Sequence, residues 1–135
     1  MLLVAACKPA ATSTPTDSIQ GIVWQWLSLR NKSTGETTTV PDRENYTIVF
    51  NADGTLNGKA DCNSVSGTYS QETGLTITLE ATTMAFCGEA SLDQQYLTVL
   101  DSVVAGGPDG TGGLALENAG GEQRMLFKNG GPAQE

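Results

Sequence analysis

The sequence predicts a mainly β fold: a small antiparallel barrel or strongly twisted sheet of seven to eight strands, with one α-helix over about 91–104 before the last hairpin. Three observations carry this expectation. Sixteen glycines and many Thr and Ser residues, with few long helix formers, favour short strands and turns over a helical bundle. Alternating apolar and polar segments follow one another with turn residues between them. The period becomes helical only once, after Cys87-Gly88.

Taken in order, Val23 to Leu29 places Trp24 and Trp26 on one face of an alternating segment, the first strand. Residues 31–45 are polar, with Gly35, a threonine run and Pro41, and read as a loop or weak edge. Tyr46, Ile48 and Phe50 alternate with Thr47 and Val49, Asn51-Ala52-Asp53-Gly54 supplies a turn, and Thr55 to Ala60 returns: a hairpin. Ser66 to Ser70 and Leu75 to Leu79 form a second hairpin around Gln71-Glu72-Thr73-Gly74, and Thr82 to Phe86 is a candidate further strand. Ser91 with Gln94 has the capping-box pattern, and Leu92, Tyr96, Leu97, Leu100, Val103 and Val104 recur at helical spacing. Gly106-Gly107-Pro108 ends that helix, Gly106 to Gly113 reads as a mobile connector, and Leu114 to Phe127 closes the chain as a last hairpin. Consecutive hairpins of this length curl most economically into a barrel or twisted sheet, because near closure removes exposed edges.

The 135 residues have room for one domain with one modest core. A net charge of −8 repels phosphate backbones and anionic headgroups, so no nucleic-acid partner is expected. Histidine is absent, which removes Ser-His and Cys-His nucleophile activation and imidazole metal sites. Asp42, Glu44, Asp61 and Glu80 are the candidates for paired-carboxylate chemistry, but hydrolysis needs two carboxyl groups at a fixed separation, which sequence spacing does not supply. The expectation is a protein that is not an enzyme and has no cofactor or metal.

Residues 1–7 end in Val4-Ala5-Ala6-Cys7, which resembles a bacterial lipobox. In such signals the cysteine becomes the mature N-terminus and carries a lipid, so Cys7 is the expected lipidation site and the membrane a partner through that lipid. Residues 8–20, rich in Ala, Thr, Ser and Pro, bury too little apolar area to offset their ordering entropy and read as a flexible tether. The folded domain is expected over 21–129, with a disordered tail over 130–135.

Cys62 and Cys87 each end a predicted strand in a chain that reads as exported. In an oxidising compartment such thiols pair more readily than they stay free, and the bridge would add roughly 3 kcal/mol on the chain-entropy estimate. Free buried cysteines are the alternative. A zinc site lacks ligands, and no Cys-x-x-Cys marks a redox dithiol.

Asp61-Cys62-Asn63, then Gly67-x-Tyr69, then Thr83-x-Ala85-x-Cys87, a following helix and Gly121 to Phe127 occur here in one order. Trp24 and Trp26 open the run, and Tyr46 to Gly54 supplies an aromatic-rich strand with an Asp-Gly turn. In these features the sequence resembles the META domain family, the domain of HslJ-like bacterial lipoproteins, from about Val23 to Phe127. Asp61 stands where the family more usually has Gly, and Gly88 where it has Pro. The resemblance implies a lipocalin-like architecture, in exported or membrane-anchored proteins associated with heat shock, novobiocin resistance and secretion. Asn63, Gly67, Tyr69, Thr83 and Ala85 carry over as structural motif residues; Asn63 is expected to satisfy backbone groups that a turn leaves unpaired.

The functional expectation is a lipid-anchored envelope protein, monomeric, stress-related, facing outside the cytoplasm and acting by binding an envelope protein partner. Two alternatives are a small molecule bound in a barrel cavity walled by Trp24, Trp26, Tyr46 and Phe50, and inhibition of an envelope protease through the loop at 31–45.

Overall fold

The computed structural model describes residues 19–72 and 74–133. Cys7 and the signal-like segment lie outside the described residues, as do residues 8–18 of the tether. The strands are β1 (Ile22–Asn31), β2 (Thr37–Thr39), β3 (Tyr46–Phe50), β4 (Thr55–Ala60), β5 (Asn63–Ser70), β6 (Thr76–Thr82), β7 (Val103–Pro108), β8 (Leu114–Asn118) and β9 (Gln123–Pro132), with helix α1 (Asp93–Leu100) between β6 and β7. Eight of them form one antiparallel sheet in the order β6-β5-β4-β3-β1-β9-β8-β7, and the short β2 pairs with β1 beside that path. The sheet curls into a half-barrel. Its two end strands come close near Gly74, where an added Cβ would sit 3.0 Å from the Val104 carbonyl oxygen, but no ladder joins them.

Alternation decides which side chains face inward. On β1, Trp24 and Trp26 are buried, and a register shift between Trp26 and Ser28 changes the phase so that Leu29 also turns inward. Tyr46, Ile48 and Phe50 of β3 fill the centre, opposite Leu114 and Leu116 of β8 and Met125 and Phe127 of β9 in one continuous core. The helix lies on the concave side and presents Tyr96, Val99 and Leu100 to this core. The Tyr96 ring stacks on Trp26 at 4.9 Å between centroids and meets Tyr46 edge-on at 5.6 Å. Trp24, Trp26, Tyr46 and Phe50 are all within 3% of full burial, so the space in which a small molecule was to bind is filled by side chains.

Several boundaries differ from expectation. The helix is shorter than 91–104: Ser102 closes it by donating its N–H and hydroxyl to the Val99 carbonyl, and Val103 begins β7. Adjacent β-branched Val103 and Val104 suit a strand, and Gly106 lies so close to β8 that a Cβ would approach the Ala115 oxygen at 2.5 Å. Thus 106–108 belong to the sheet and are not a connector. The capping box does not form; Ser91 Oγ accepts the N–H of Asp93, and the Leu92 N–H donates to the Tyr46 hydroxyl. Ile19 and Gln20, expected in the tether, belong to the domain: Ile19 is fully buried with its carbonyl bonded by Trp24 Nε1, and Gln20 bridges to Phe50. At the other end, β9 runs through Pro132, and Ala133 donates its N–H to the Gly21 carbonyl, so residues 130–133, expected in the tail, belong to the domain. The segment 31–45 contains β2 and a 3-10 turn at Arg43–Asn45.

Tyr96 carries a fully buried hydroxyl with no hydrogen-bond partner among the described residues. Leaving such a group unpaired costs about 1–3 kcal/mol, so Tyr96→Phe should match or exceed the parent in thermal and denaturant midpoints. A clear loss of stability would mean that the hydroxyl has a partner. Burial also pushes the Tyr96 hydroxyl well above the usual tyrosine value near 10. It pushes Tyr46 up as well, aided by the charges of Asp61 and Asp42 and opposed by hydrogen bonds from Ser91 and Leu92. An unfolded chain releases these protons first, so stability is complete below about pH 10 and falls as pH rises above it. Tyrosinate absorbance from these two rings should appear together with loss of near-UV circular dichroism, not before it.

Candidate functional site

The polar residues gather at the Asn63 side chain, at the start of β5. Its Oδ1 accepts the Ala85 N–H at 2.7 Å and the Thr83 hydroxyl at 2.9 Å. Its Nδ2 faces the Ala85 carbonyl at 3.0 Å, the Asp93 carboxylate at 3.1 Å and Cys87 Sγ at 3.3 Å. Asn63 and Asp93 are both buried, so these bonds replace water that neither group can reach. Thr83 extends the arrangement: its hydroxyl also accepts the Ser64 N–H at 2.9 Å, and its own N–H donates to the Ser64 carbonyl at 3.0 Å. One amide thereby ties β5 to the segment 83–87 and to the first turn of α1.

The Cys62–Cys87 disulfide lies alongside, with Cα atoms 5.6 Å apart. Before it, Asp61 has φ of +61°, the left-handed region in which Gly is unstrained and Asp is tolerated better than most residues. That conformation accounts for the family's usual Gly at this position. Gly67 serves a different purpose: β6 approaches it so closely at the register shift after Ser66 that a Cβ would overlap the Thr78 carbonyl. Tyr69 lies elsewhere, donating its hydroxyl to the Asn51 carbonyl and accepting from Gln20 Nε2, both at 2.7 Å, with its ring edge-on to Phe50. Of the motif residues, then, Cys62, Asn63, Thr83, Ala85 and Cys87 converge, while Gly67 and Tyr69 act within the sheet.

The clamp has an outward consequence. Thr83 through its hydroxyl, Ala85 through its backbone and Cys87 through its disulfide are held at Asn63, while the side chains between them stand in solvent: Met84 is 73% exposed and Phe86 82%. Among the described residues these are the most exposed large apolar side chains.

Two surface depressions flank this segment. One, of about 360 Å³, is lined by Tyr46, Asp61, Asp42, Ser91 and Leu92. It brings together two of the four carboxylates considered from sequence, with the Tyr46 hydroxyl 3.4 Å from Asp61 Oδ2 and Ser91 Oγ. Glu44 and Glu80 lie outside it. The other, about 400 Å³, runs between β6 and α1 and is lined by Leu79, Glu80, Met84, Leu97 and Asp101 among others. Among the described residues no three Cys, Asp or Glu side chains come together as metal ligands would.

Asn63→Ala should cost about 3 kcal/mol in denaturant unfolding, because Asp93 and the backbone of Ala85 lose buried partners at once. Asn63→Asp places a second carboxylate against Asp93, so its loss should be larger at neutral pH and shrink on acidification. Equal stability of parent and both variants would show that the amide does not hold the segment.

The META domain family matches residues 17–131. An NMR structure of a protein from Burkholderia xenovorans is similar with a TM-score of 0.64 at 17% identity, over 94% of this chain and 98% of that one. The crystal structure of a DUF4847 family protein from Bacteroides vulgatus is similar with a TM-score of 0.62 at 15% identity, over 87% and 96%. At these identities the likeness is one of fold. No curated protein matches the sequence. With the family matched over nearly the whole described domain, the chain belongs to the META domain family.

Proposed function

We propose that this is a non-catalytic, exported, lipid-anchored cell-envelope protein with a role in the stress response, and that it acts by binding a protein partner. The observation that carries the binding role is the exposure of Met84 and Phe86 on a segment held at both ends by Asn63 and the disulfide. Covering large apolar side chains removes their unfavourable contact with water, and a segment already held in place pays little ordering entropy when a partner covers it. Supporting the anchor, Val4-Ala5-Ala6-Cys7 resembles a lipobox and is followed by a Ser/Thr/Pro-rich stretch that would hold the domain clear of a membrane. The disulfide fits an oxidising compartment.

The test joins anchor and partner. The protein is expressed with a complete signal, its intact mass is measured, and envelope fractions are cross-linked and recovered through it. A diacyl or triacyl mass increment at Cys7 and a cross-linked species that disappears in the Met84→Ala, Phe86→Ala double variant are expected. An unmodified Cys7 would remove the anchor. A cross-linking pattern indifferent to the double variant would remove the binding role.

A further inference from the structure

The binding reading can be taken further at the cleft between β6 and α1, and the inference rests on that reading. Among the described residues β6 ends the sheet, pairing only with β5. On its far side, the Leu79 N–H is taken by the Asp101 carboxylate at 3.1 Å, from the residue that caps α1. A side chain thus occupies a position that a neighbouring strand's carbonyl would fill in a continuous sheet. Beyond Leu79 the cleft opens to about 400 Å³ between β6 and the helix. Its apolar lining is Leu79, Ala81, Leu97 and Met84, and the exposed Phe86 lies two residues past Met84 in the chain. Its charged lining is Glu80 and Asp101, with no Lys or Arg among the described residues around it, on a chain of net charge −8.

We propose that this cleft takes an extended polypeptide segment, alternately apolar and basic, as an added strand on β6. An incoming backbone carbonyl would accept the Leu79 N–H in place of Asp101, and the released carboxylate, with Glu80, would face Lys or Arg side chains of the segment. Apolar residues of the other parity would rest on Met84, Leu97 and Phe86. Main-chain pairing supplies affinity in strand addition, and the alternate side chains supply selectivity. Charge of this sign also disfavours acidic segments and anionic lipid surfaces.

The experiment uses fluorescence anisotropy of a short labelled peptide alternating Lys and Val, titrated with the full chain. Its controls are the Glu/Val counterpart and a Lys/Val version N-methylated on alternate amides. Saturable binding of the Lys/Val peptide is expected, weakened at least about tenfold by N-methylation and about fivefold or more by Glu80→Lys or by Met84→Ala with Phe86→Ala, whereas the charge-matched Glu36→Lys on the distant β1–β2 loop changes it less than about twofold. These substitutions are at exposed positions, so folding is preserved. Equal weakening by Glu80→Lys and Glu36→Lys would reduce the effect to general charge attraction and overturn the proposal. So would binding indifferent to N-methylation, or no binding at all. Self-association of the chain that Glu80→Lys abolishes would assign the edge to a second copy and overturn it as well. If the peptide fails while envelope cross-linking still depends on Met84 and Phe86, the strand-addition proposal falls and the partner-binding reading stands; loss of both dependences removes both.

Discussion

The side-chain amide of Asn63 is the constraint on which the rest of the arrangement depends. It is buried, it has both donor and acceptor capacity, and each part is answered by a group that is itself hard to satisfy otherwise: the Ala85 backbone, the Thr83 hydroxyl and the Asp93 carboxylate. Because these partners come from 20 to 30 residues further along the chain, the amide converts a local β5 position into a junction between sheet, loop and helix. The neighbouring disulfide acts differently. It narrows the ensemble of unfolded chains, whereas the bonds of the amide exist only in the folded geometry that brings segment 83–87 and Asp93 to it.

Tyr46 joins this polar junction to the apolar core. Its ring packs edge-on against Trp26 and Tyr96, while its hydroxyl receives the N–H of Leu92 at the start of α1. The helix is therefore located twice, by Asp93 against Asn63 at its first turn and by Tyr96 against the aromatic cluster one turn later. The unpaired Tyr96 hydroxyl indicates which of the two dominates: the ring is placed by aromatic packing even at the expense of its own polar atom. With α1 on the concave side and its capping aspartate against β6, the sheet remains a half-barrel whose end strands approach without pairing.

Much of this was legible from residue order, for identifiable reasons. Strands β1, β3 and β4 follow from side-chain alternation and from Asn-Ala-Asp-Gly turn chemistry, where Asp53 accepts the N–H and hydroxyl of Thr55 and is held below the usual carboxylate range by those bonds. The helix was legible as an element but not in length, because Val103 and Val104 continue the apolar spacing of a helix although both lie in β7, where Val103 pairs with Asn118 of β8. The same difficulty hid Ile19 and Gln20, which lie at the end of a polar, Pro-containing run and join the domain through a single tryptophan N–H and a bridge to Phe50. In the site, the motif identified Asn63, Thr83, Ala85 and both cysteines. It did not identify Asp93, since an acidic residue in the first turn of a helix is ordinary and only its burial makes it unusual.

By itself the sequence determined the class of fold, the family, the order of hairpins, the single helix and the absence of imidazole chemistry, because these depend on periodicity and on which residue types are present. Only the tertiary structure decided that the core is filled, that five motif residues meet while Gly67 and Tyr69 work elsewhere, and that Met84 and Phe86 remain in water. Those outcomes depend on which distant residue occupies each inward direction. Burial and hydrogen-bond satisfaction are properties of the whole packed chain, and no local window of sequence contains the partner that settles them.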